Sequence, residues 1–388
     1  FNRIRGCLYP MNNRFDLPGP FTDSNVIRLA LWLQSNQSKQ GKYLAVTDEN
    51  WSQCNWASLG AGQNASLKVV SNRYDIAQQA LNAGLVAEFN DFDFSSIEPH
   101  SYDVVLYRVS KERACSHHVI NQASKLLKLG GTLVLSGEKN DGVKTYVKQA
   151  CILFGDRTAA EKKGKGYLAT ITLHEFNRTL LDDKNYPSTR ESKKLPSFSP
   201  ITKPGIFGWD KIDRGSAFLS EHIPIFLTQF SEPPQTLLDL GCGYGYLACQ
   251  ASKHGIRHVT ATDNNAAALL AAAENLKAVT ADYNVIAADA GNNIVERFDI
   301  VWCNPPFHQG FSVDGDMSDK FLRATKRLLS SSGRALFVVN TFIPLERSAK
   351  KHFRSVEVLA NNGSFKLIAL ALDKHKNIMS DQRVKHDK

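Results

Sequence analysis

TLLDLGCGYG, from Thr236 to Gly245, joins a five-residue apolar run to a turn with glycine at every second position. The run reads as a buried strand and Tyr246 to Lys253 as the helix that follows. Glycines at 241, 243 and 245 let the backbone turn tightly and come close to a ligand, and a helix N-terminus favours negative charge. The next strand, His258 to Thr262, delivers Asp263 at its end, 18 residues beyond Gly245. A carboxylate there accepts both hydroxyls of a ribose. Tyr283 to Ala287 is a third strand with Asp289 just after it, and Phe298 to Cys303 is a fourth. Four strand ends in order bring four site elements to one sheet edge, where open α/β sheets bind ligands. The pattern is a nucleoside site; a dinucleotide enzyme more often shows GxGxxG.

The fourth strand leaves the sheet as Asn304-Pro305-Pro306-Phe307. Two prolines remove two backbone donors, fix φ and push the preceding residue out of the helical region. This stiff exit sets the Asn304 amide, the Pro305 carbonyl and the Phe307 ring around one small volume. A flat substrate with an exocyclic amino group fits it, donating to the two oxygens and stacking on the ring. A dinucleotide enzyme has no use for such a motif.

Working outward, Gly215 to Phe226 reads as a helix leading into the first strand, and Asn265 to Lys277 as an alanine-rich helix. After the fourth strand come a helix from Lys320 to Leu329, a strand from Arg334 to Asn340, a helix near Ser348 to Phe353, and strands at Val356 to Leu359 and Lys366 to Leu372. The N-terminal part has the same order. YDVVLY (Tyr102–Tyr107) parallels FDIVWC (Phe298–Cys303), and Leu126–Leu135 parallels Leu328–Phe337. Its first strand, Lys42 to Val46, runs into Thr47-Asp48-Glu49 in place of a glycine turn, and its fourth into Arg108-Val109-Ser110-Lys111 in place of NPPF. Two copies of one fold are expected, one of them without its site. Between about 137 and 200 the periodicity weakens. Residues 1–176 are read as the degenerate copy, 177–203 as a basic linker and 204–388 as the active copy.

The chain has 388 residues, 43% hydrophobic and 22% charged, enough for two packed cores. It opens on Phe1, so a trimmed or processed start is expected, and neither a secretory leader nor an 18-residue apolar span is visible. Seven scattered cysteines without a CxxC pair point to reduced thiols, a cytoplasmic protein and no metal site. His117-His118 is read as a solvated pair. The net charge of +9 suits a polyanionic partner. Ten basic residues against six acids lie between 156 and 204, interleaved with Tyr167, Phe176, Tyr186 and Phe198, as on a surface that tracks a nucleic-acid backbone.

Together these motifs resemble the class I S-adenosylmethionine-dependent methyltransferases. LDLGCGYG (Leu238–Gly245) resembles the family's first motif, Asp263 its ribose-binding acid and Asp289 the residue that meets the adenine amino group. Asn304 to Phe307 resembles the (N/D)PP(Y/F) motif of enzymes that methylate exocyclic or amide nitrogens. A degenerate domain followed by an active one resembles the ribosomal RNA guanine-N2 methyltransferases of the RsmC and RlmG type. So do Pro204-Gly205-Ile206-Phe207 with Asp213 and Gly215-Ser216, and the late Gly363-Ser364-Phe365-Lys366. Cys242 and Tyr244 within the turn and the long basic stretch depart from that pattern.

The resemblance implies two tandem Rossmann-like α/β domains, each a mainly parallel seven-stranded sheet flanked by helices. It implies S-adenosylmethionine as cofactor, held by Asp239, Gly241, Gly243, Gly245, Asp263, Asp289, Asn304 and Phe207. The catalytic set is Asn304, Pro305, Pro306 and Phe307. The expected activity is methylation of guanine N2 in 16S ribosomal RNA or the small ribosomal subunit, by a monomer, with the N-terminal copy binding RNA or supporting its partner. Large-subunit RNA or tRNA, a protein glutamine, and a DNA adenine are the alternative acceptors. An RNA-binding assembly factor is the non-enzymatic alternative.

Overall fold

The computed structural model describes residues 23–36, 41–60, 65–177, 179–192, 199–306 and 315–373. Phe307, and with it the ring of the NPPF motif, lies outside them, as do the tail lysines.

The first half contains α1 (Ser24–Asn36), β1 (Gly41–Thr47), α2 (Trp56–Gly60), β2 (Ala65–Ser71), α3 (Tyr74–Asn82) and β3 (Val86–Phe89). It continues with β4 (Tyr102–Arg108), α4 (Arg113–Leu126), β5 (Leu127–Glu138), α5 (Val143–Phe154), β6 (Glu161–Lys163) and β7 (Gly166–Thr172). A two-stranded antiparallel ribbon, β8 (Arg190–Glu191) and β9 (Ile201–Thr202), lies within the connecting segment. The second half contains α6 (Arg214–Glu221), α7 (Ile223–Leu227), β10 (Thr236–Leu240), α8 (Tyr246–Gln250), β11 (His258–Asp263), α9 (Ala266–Val279) and β12 (Tyr283–Ala287). Then come β13 (Phe298–Cys303), α10 (Gly315–Leu328), β14 (Leu329–Asn340), α11 (Leu345–Ala349), β15 (Ser355–Asn361) and β16 (Phe365–Ala371).

The sheets have the same order, β3-β2-β1-β4-β5-β7-β6 and β12-β11-β10-β13-β14-β16-β15. In each, five strands run parallel, and the last two join through antiparallel pairings. This is the duplicated, seven-stranded architecture expected. The reversal of order between β10 and β13 opens a crevice at the strands' C-terminal ends, the usual ligand position. The central strands are apolar on both faces because helices cover both. Leu237, Ile300 and Trp302 pack with Leu247 of α8 and Leu276 of α9, while Leu238, Leu240 and Val301 pack with Leu322 and Leu328 of α10. Each such leucine contributes about 1.5–3 kcal/mol on burial.

Several elements differ from expectation. The helix expected over Gly215–Phe226 is broken at His222, because Pro224 has no N–H to continue the ladder and begins a new helix, α7. The helix expected near Ser348–Phe353 is α11, which starts directly after Pro344. The weak stretch after 137 contains α5, whose buried Val143, Tyr146, Val147, Ala150, Cys151 and Phe154 follow helical spacing. His117 and His118 are buried, not solvated. His117 Nδ1 meets the Asp182 carbonyl at 2.8 Å and Nε2 meets Gln149 at 3.0 Å, while His118 Nε2 meets the Phe92 carbonyl at 3.0 Å. The connecting segment supplies that cover. Within it Tyr186 is fully buried and donates to Asp91, and Lys203, also fully buried, is ion-paired with the same carboxylate. Lys203 is therefore no part of a basic surface.

The pairings also make residues of the two halves counterparts. Tyr43 stands opposite Val104 as Leu237 does opposite Ile300, and the register carries outward to β2, β3, β11 and β12. Thr47 then corresponds to Gly241, Ser71 to Asp263, Asp91 to Asp289 and Arg108 to Asn304. The halves meet through counterpart turns. Arg73 and Asn265 form a bridge, Tyr74 N–H donates to the Asn264 carbonyl (2.8 Å) and Ala266 N–H to the Asn72 carbonyl (3.0 Å). That reciprocity is a local two-fold relation within one chain.

Candidate active site

The glycine turn is held to the neighbouring strand by its own backbone. Gly241 and Cys242 N–H both donate to the Thr262 carbonyl, at 2.9 and 3.0 Å. Gly241, Gly243 and Gly245 have φ of 82°, 55° and 84°, a region that strains other residues. Their surroundings differ. A Cβ on Gly243 would meet nothing within 4 Å, whereas one on Gly245 would lie 3.3 Å from Ala272. Gly243 keeps the cleft open; Gly245 lets α8 start against α9, away from the cleft wall.

Asp239 is buried beneath the turn and accepts from the Ala248 N–H of α8 at 2.8 Å. Burial pushes its carboxyl up to about 7, against that hydrogen bond and with help from the charge of Asp263. Asp263 accepts from Gly243 N–H (2.9 Å) through one oxygen and from Asn265 N–H (2.9 Å) through the other. One carboxylate thus ties the glycine turn to the start of α9. Asp289 is ion-paired with Lys320 of α10 at 2.5 Å. Phe207 is half exposed, on the same cleft.

Asn304 sits at the end of β13, its amide nitrogen donating to Asp213 Oδ2 (2.7 Å) and Ser216 Oγ (2.9 Å). Pro305 is buried behind it and Pro306 is exposed. A cleft of about 400 Å³ brings Phe207, Asp239, Gly241, Gly243, Asp263, Asp289, Asn304, Pro305 and Pro306 together. Gly245 is not on its wall.

The fit to a nucleoside carrying a charged side arm is physical. The cleft has a wall without side chains at Gly243, a carboxylate at the strand-two position, and a second carboxylate one strand further on. S-adenosylmethionine matches that donor and acceptor set. Asp263 and Asp289 both line the cleft, at the ends of the second and third strands.

The first half supplies a wall that sequence reasoning missed. Glu49, Arg73, Asp75 and Gln79 line the same cleft. Arg73 is ion-paired with Glu49 at 2.9 Å. Burial works to raise the Glu49 carboxyl, but Arg73 beside it holds it below its ordinary value. Burial and the nearby Asp289 push Asp75 up, with Lys320 and Arg73 opposing. Nothing in the linear pattern marks these residues, because their position depends on how the halves meet. Lys320 and Phe321 at the mouth of the cleft were likewise missed, although the helix that carries them was expected.

The same place in the first half is closed. Arg108, counterpart of Asn304, is ion-paired with Asp23 (3.1 Å) and Asp141 (3.0 Å) and buried. Ser71 stands in place of Asp263, and Asp48 and Glu49 in place of the glycine turn.

Residues 198–369 match the family described as methyltransferase small domain. The ribosomal RNA small subunit methyltransferase C of Shewanella loihica is 27% identical over 273 residues, covering 69% of this chain and 77% of the relative. That of Hahella chejuensis is 28% identical over 292 residues, covering 74% and 84%. Among solved structures, the Thermus thermophilus 16S rRNA N2 G1207 methyltransferase, in complex with AdoMet and guanosine, aligns with a TM-score of 0.75. The alignment has 23% identity and covers 89% of this chain and 92% of that one, a likeness of fold across both halves.

Proposed function

We propose that this chain is an S-adenosylmethionine-dependent methyltransferase that methylates N2 of a guanine in small-subunit ribosomal RNA. The observation that carries the reading is Asn304. Its amide nitrogen is committed to Asp213 and Ser216, so its oxygen is the atom left to accept from a substrate amino group. The relatives named above as small-subunit RNA methyltransferases support the choice of acceptor.

S-adenosylmethionine, when bound, supplies a methyl group on a sulfonium sulfur. Asp263, Asp289, Asp239 and the turn of Gly241, Gly243 and Gly245 would hold it, with Phe207 flanking. The amino nitrogen of guanine is a poor nucleophile because its lone pair is delocalised into the ring. Asn304 Oδ1 and the Pro305 carbonyl accept its two N–H groups, turn the lone pair toward the methyl group and stabilise the positive charge that develops. Pro306 stiffens the exit, and Phe307 stacks on the base. No strong general base is needed, since the nitrogen proton becomes acidic once the new C–N bond forms. A paired base cannot enter such a cleft, so the guanine is unpaired or flipped out.

In this reading residues 204–388 are the catalytic unit, 177–203 the connection and 1–176 a degenerate copy that supports it or helps hold RNA. The chain acts as a cytoplasmic monomer. Labelled methyl transfer to total RNA, small subunits and protein extract, followed by nucleoside analysis, tests it. N2-methylguanine from the small-subunit RNA is expected; N6-methyladenine or methylglutamine would overturn the reading.

A further inference from the structure

We infer that Asp213 is a positioning residue for methyl transfer: it fixes the flip of the Asn304 amide, and so decides which atom meets the substrate. The inference rests on the methyl-transfer reading above. An asparagine amide can present oxygen or nitrogen to a cleft, and only the oxygen accepts from an amino group. An ionised carboxylate accepts and cannot donate. Asp213 Oδ2 lies 2.7 Å from the amide of Asn304, so the edge facing it must be the nitrogen. Ser216 Oγ takes the second N–H at 2.9 Å. The same Asp213 oxygen accepts from Ser216 N–H at 2.9 Å and caps α6. Cap, serine and amide form one clamp, seated by close packing. A Cβ on Gly215 would lie 3.0 Å from Asp213 Oδ2 and 3.3 Å from the ring of Phe365, tight contacts that glycine avoids where the first turn of α6 meets β16.

The silent half repeats the device. Asp23 stands at the start of α1 and accepts from the N–H groups of Asn25 (2.7 Å) and Val26 (3.2 Å). Its other oxygen holds Arg108, the counterpart of Asn304, at 3.1 Å. In both halves the capping aspartate of the leading helix grips the side chain at the end of the fourth strand. In one it grips an amide with an oxygen to spare; in the other a guanidinium with none.

The test exchanges the two side chains. Asn304→Asp places two carboxylates across the contact and should slow labelled methyl transfer to RNA by about a hundredfold or more. Adding Asp213→Asn removes the charge repulsion and lets the new amide donate across the contact, at the expense of the cap bond from Ser216 N–H to that position; it should recover roughly tenfold or more over the single variant, with the lost cap read separately as a lower Tm. A residue that merely capped a helix would give no such rescue. Asp213→Ser keeps a good cap but is too short to reach the amide. It should lower kcat by about tenfold to a hundredfold, while KM for RNA and Kd for S-adenosylmethionine stay within about twofold. A double variant no faster than Asn304→Asp, or a native kcat in Asp213→Ser, overturns the inference. A native chain that transfers no methyl group to any RNA overturns instead the functional reading on which it stands.

Discussion

Asp91→Ala should be among the most destabilising single changes in this chain, although it lies outside the cleft. Lys203 and Asp91 have side chains 1% and 2% exposed, and they form an ion pair where the connecting segment enters the second half. Asp91 also accepts from Tyr186 Oη at 2.8 Å. Truncation leaves the ammonium with the Pro187 carbonyl at 3.4 Å and the face of Tyr186 at 4.3 Å. Breaking a buried pair by removing one partner costs about 3–5 kcal/mol, and the tyrosine hydroxyl, left with only the weak Cys115 thiol as partner, adds about 1–3 kcal/mol. The cation–π contact offsets up to about 2 kcal/mol of this, for a net loss near 4 kcal/mol. Lys128–Asp103 is the internal control: its side chains are 48% and 36% exposed, and Lys128→Ala should cost less than about 1 kcal/mol. Urea unfolding followed by tryptophan fluorescence compares the two, read at the first transition because the halves can melt separately. Replacing both partners, as Asp91→Leu with Lys203→Met, should regain most of the loss. A cost below about 1 kcal/mol for Asp91→Ala would refute the reasoning that this pair is buried and that its partners depend on it.

Asn304→Ala should cut methyl transfer by at least about a hundredfold and leave S-adenosylmethionine binding by calorimetry nearly unchanged; equal loss of both would make its role structural. Gly243→Ala and Gly245→Val should separate binding from folding. The first meets no neighbour and should weaken cofactor affinity with only the backbone strain of about 1–2 kcal/mol that a left-handed position imposes, whereas the second adds a clash with Ala272 to that strain and should lower Tm further. Asp239 should make stability fall as pH rises. Its carboxyl titrates at about 7 when folded against 3.8 in the reference state, so the folded chain holds the proton more tightly between those values. That contribution is full below about pH 4 and lost as pH rises through 7. Asp239→Asn should therefore gain in relative stability as melting is followed from pH 5 to pH 8, and a constant gap across that range would contradict the burial argument.

The features legible in the sequence are those fixed within one strand–turn–helix unit. Asp263, Asp289 and Asn304 could be placed because each follows an apolar strand, and a parallel sheet sends every such end to one edge. The second copy was legible because YDVVLY and FDIVWC keep both order and burial. What escaped depends on contacts between units. Arg73 and Glu49 follow β2 and β1 of a copy without its own site, yet they wall the site of the other. His117 and His118 sit on a helix whose outer face would be wet were it not for Asp182 and Tyr186. Nothing local to α4 states that a segment 60 residues later covers it. The omission of α5 has another cause: its spacing is helical, but Lys144, Lys148 and Gln149 diluted the signal in a stretch expected to be irregular.

In the first half, the positions that correspond to the cleft residues of the second are occupied by contacts of their own. Arg108 fills the acceptor position with ion pairs to Asp23 and Asp141. Asp91, counterpart of the cleft-lining Asp289, holds Lys203 and Tyr186. Ser71, counterpart of Asp263, folds its hydroxyl back onto the Thr47 carbonyl at 3.3 Å. A vacated polar pocket would leave desolvated groups without partners, at about 1–3 kcal/mol each. Filling it removes that cost and stiffens the half. The stiffness matters because the bridge between Arg73 and Asn265 joins the halves two residues beyond Ser71 and two beyond Asp263. A soft first half would let Glu49, Arg73 and Asp75 drift from the cleft they line. Contacts that keep the first half closed at its counterpart positions therefore also keep Glu49, Arg73 and Asp75 in place along the cleft.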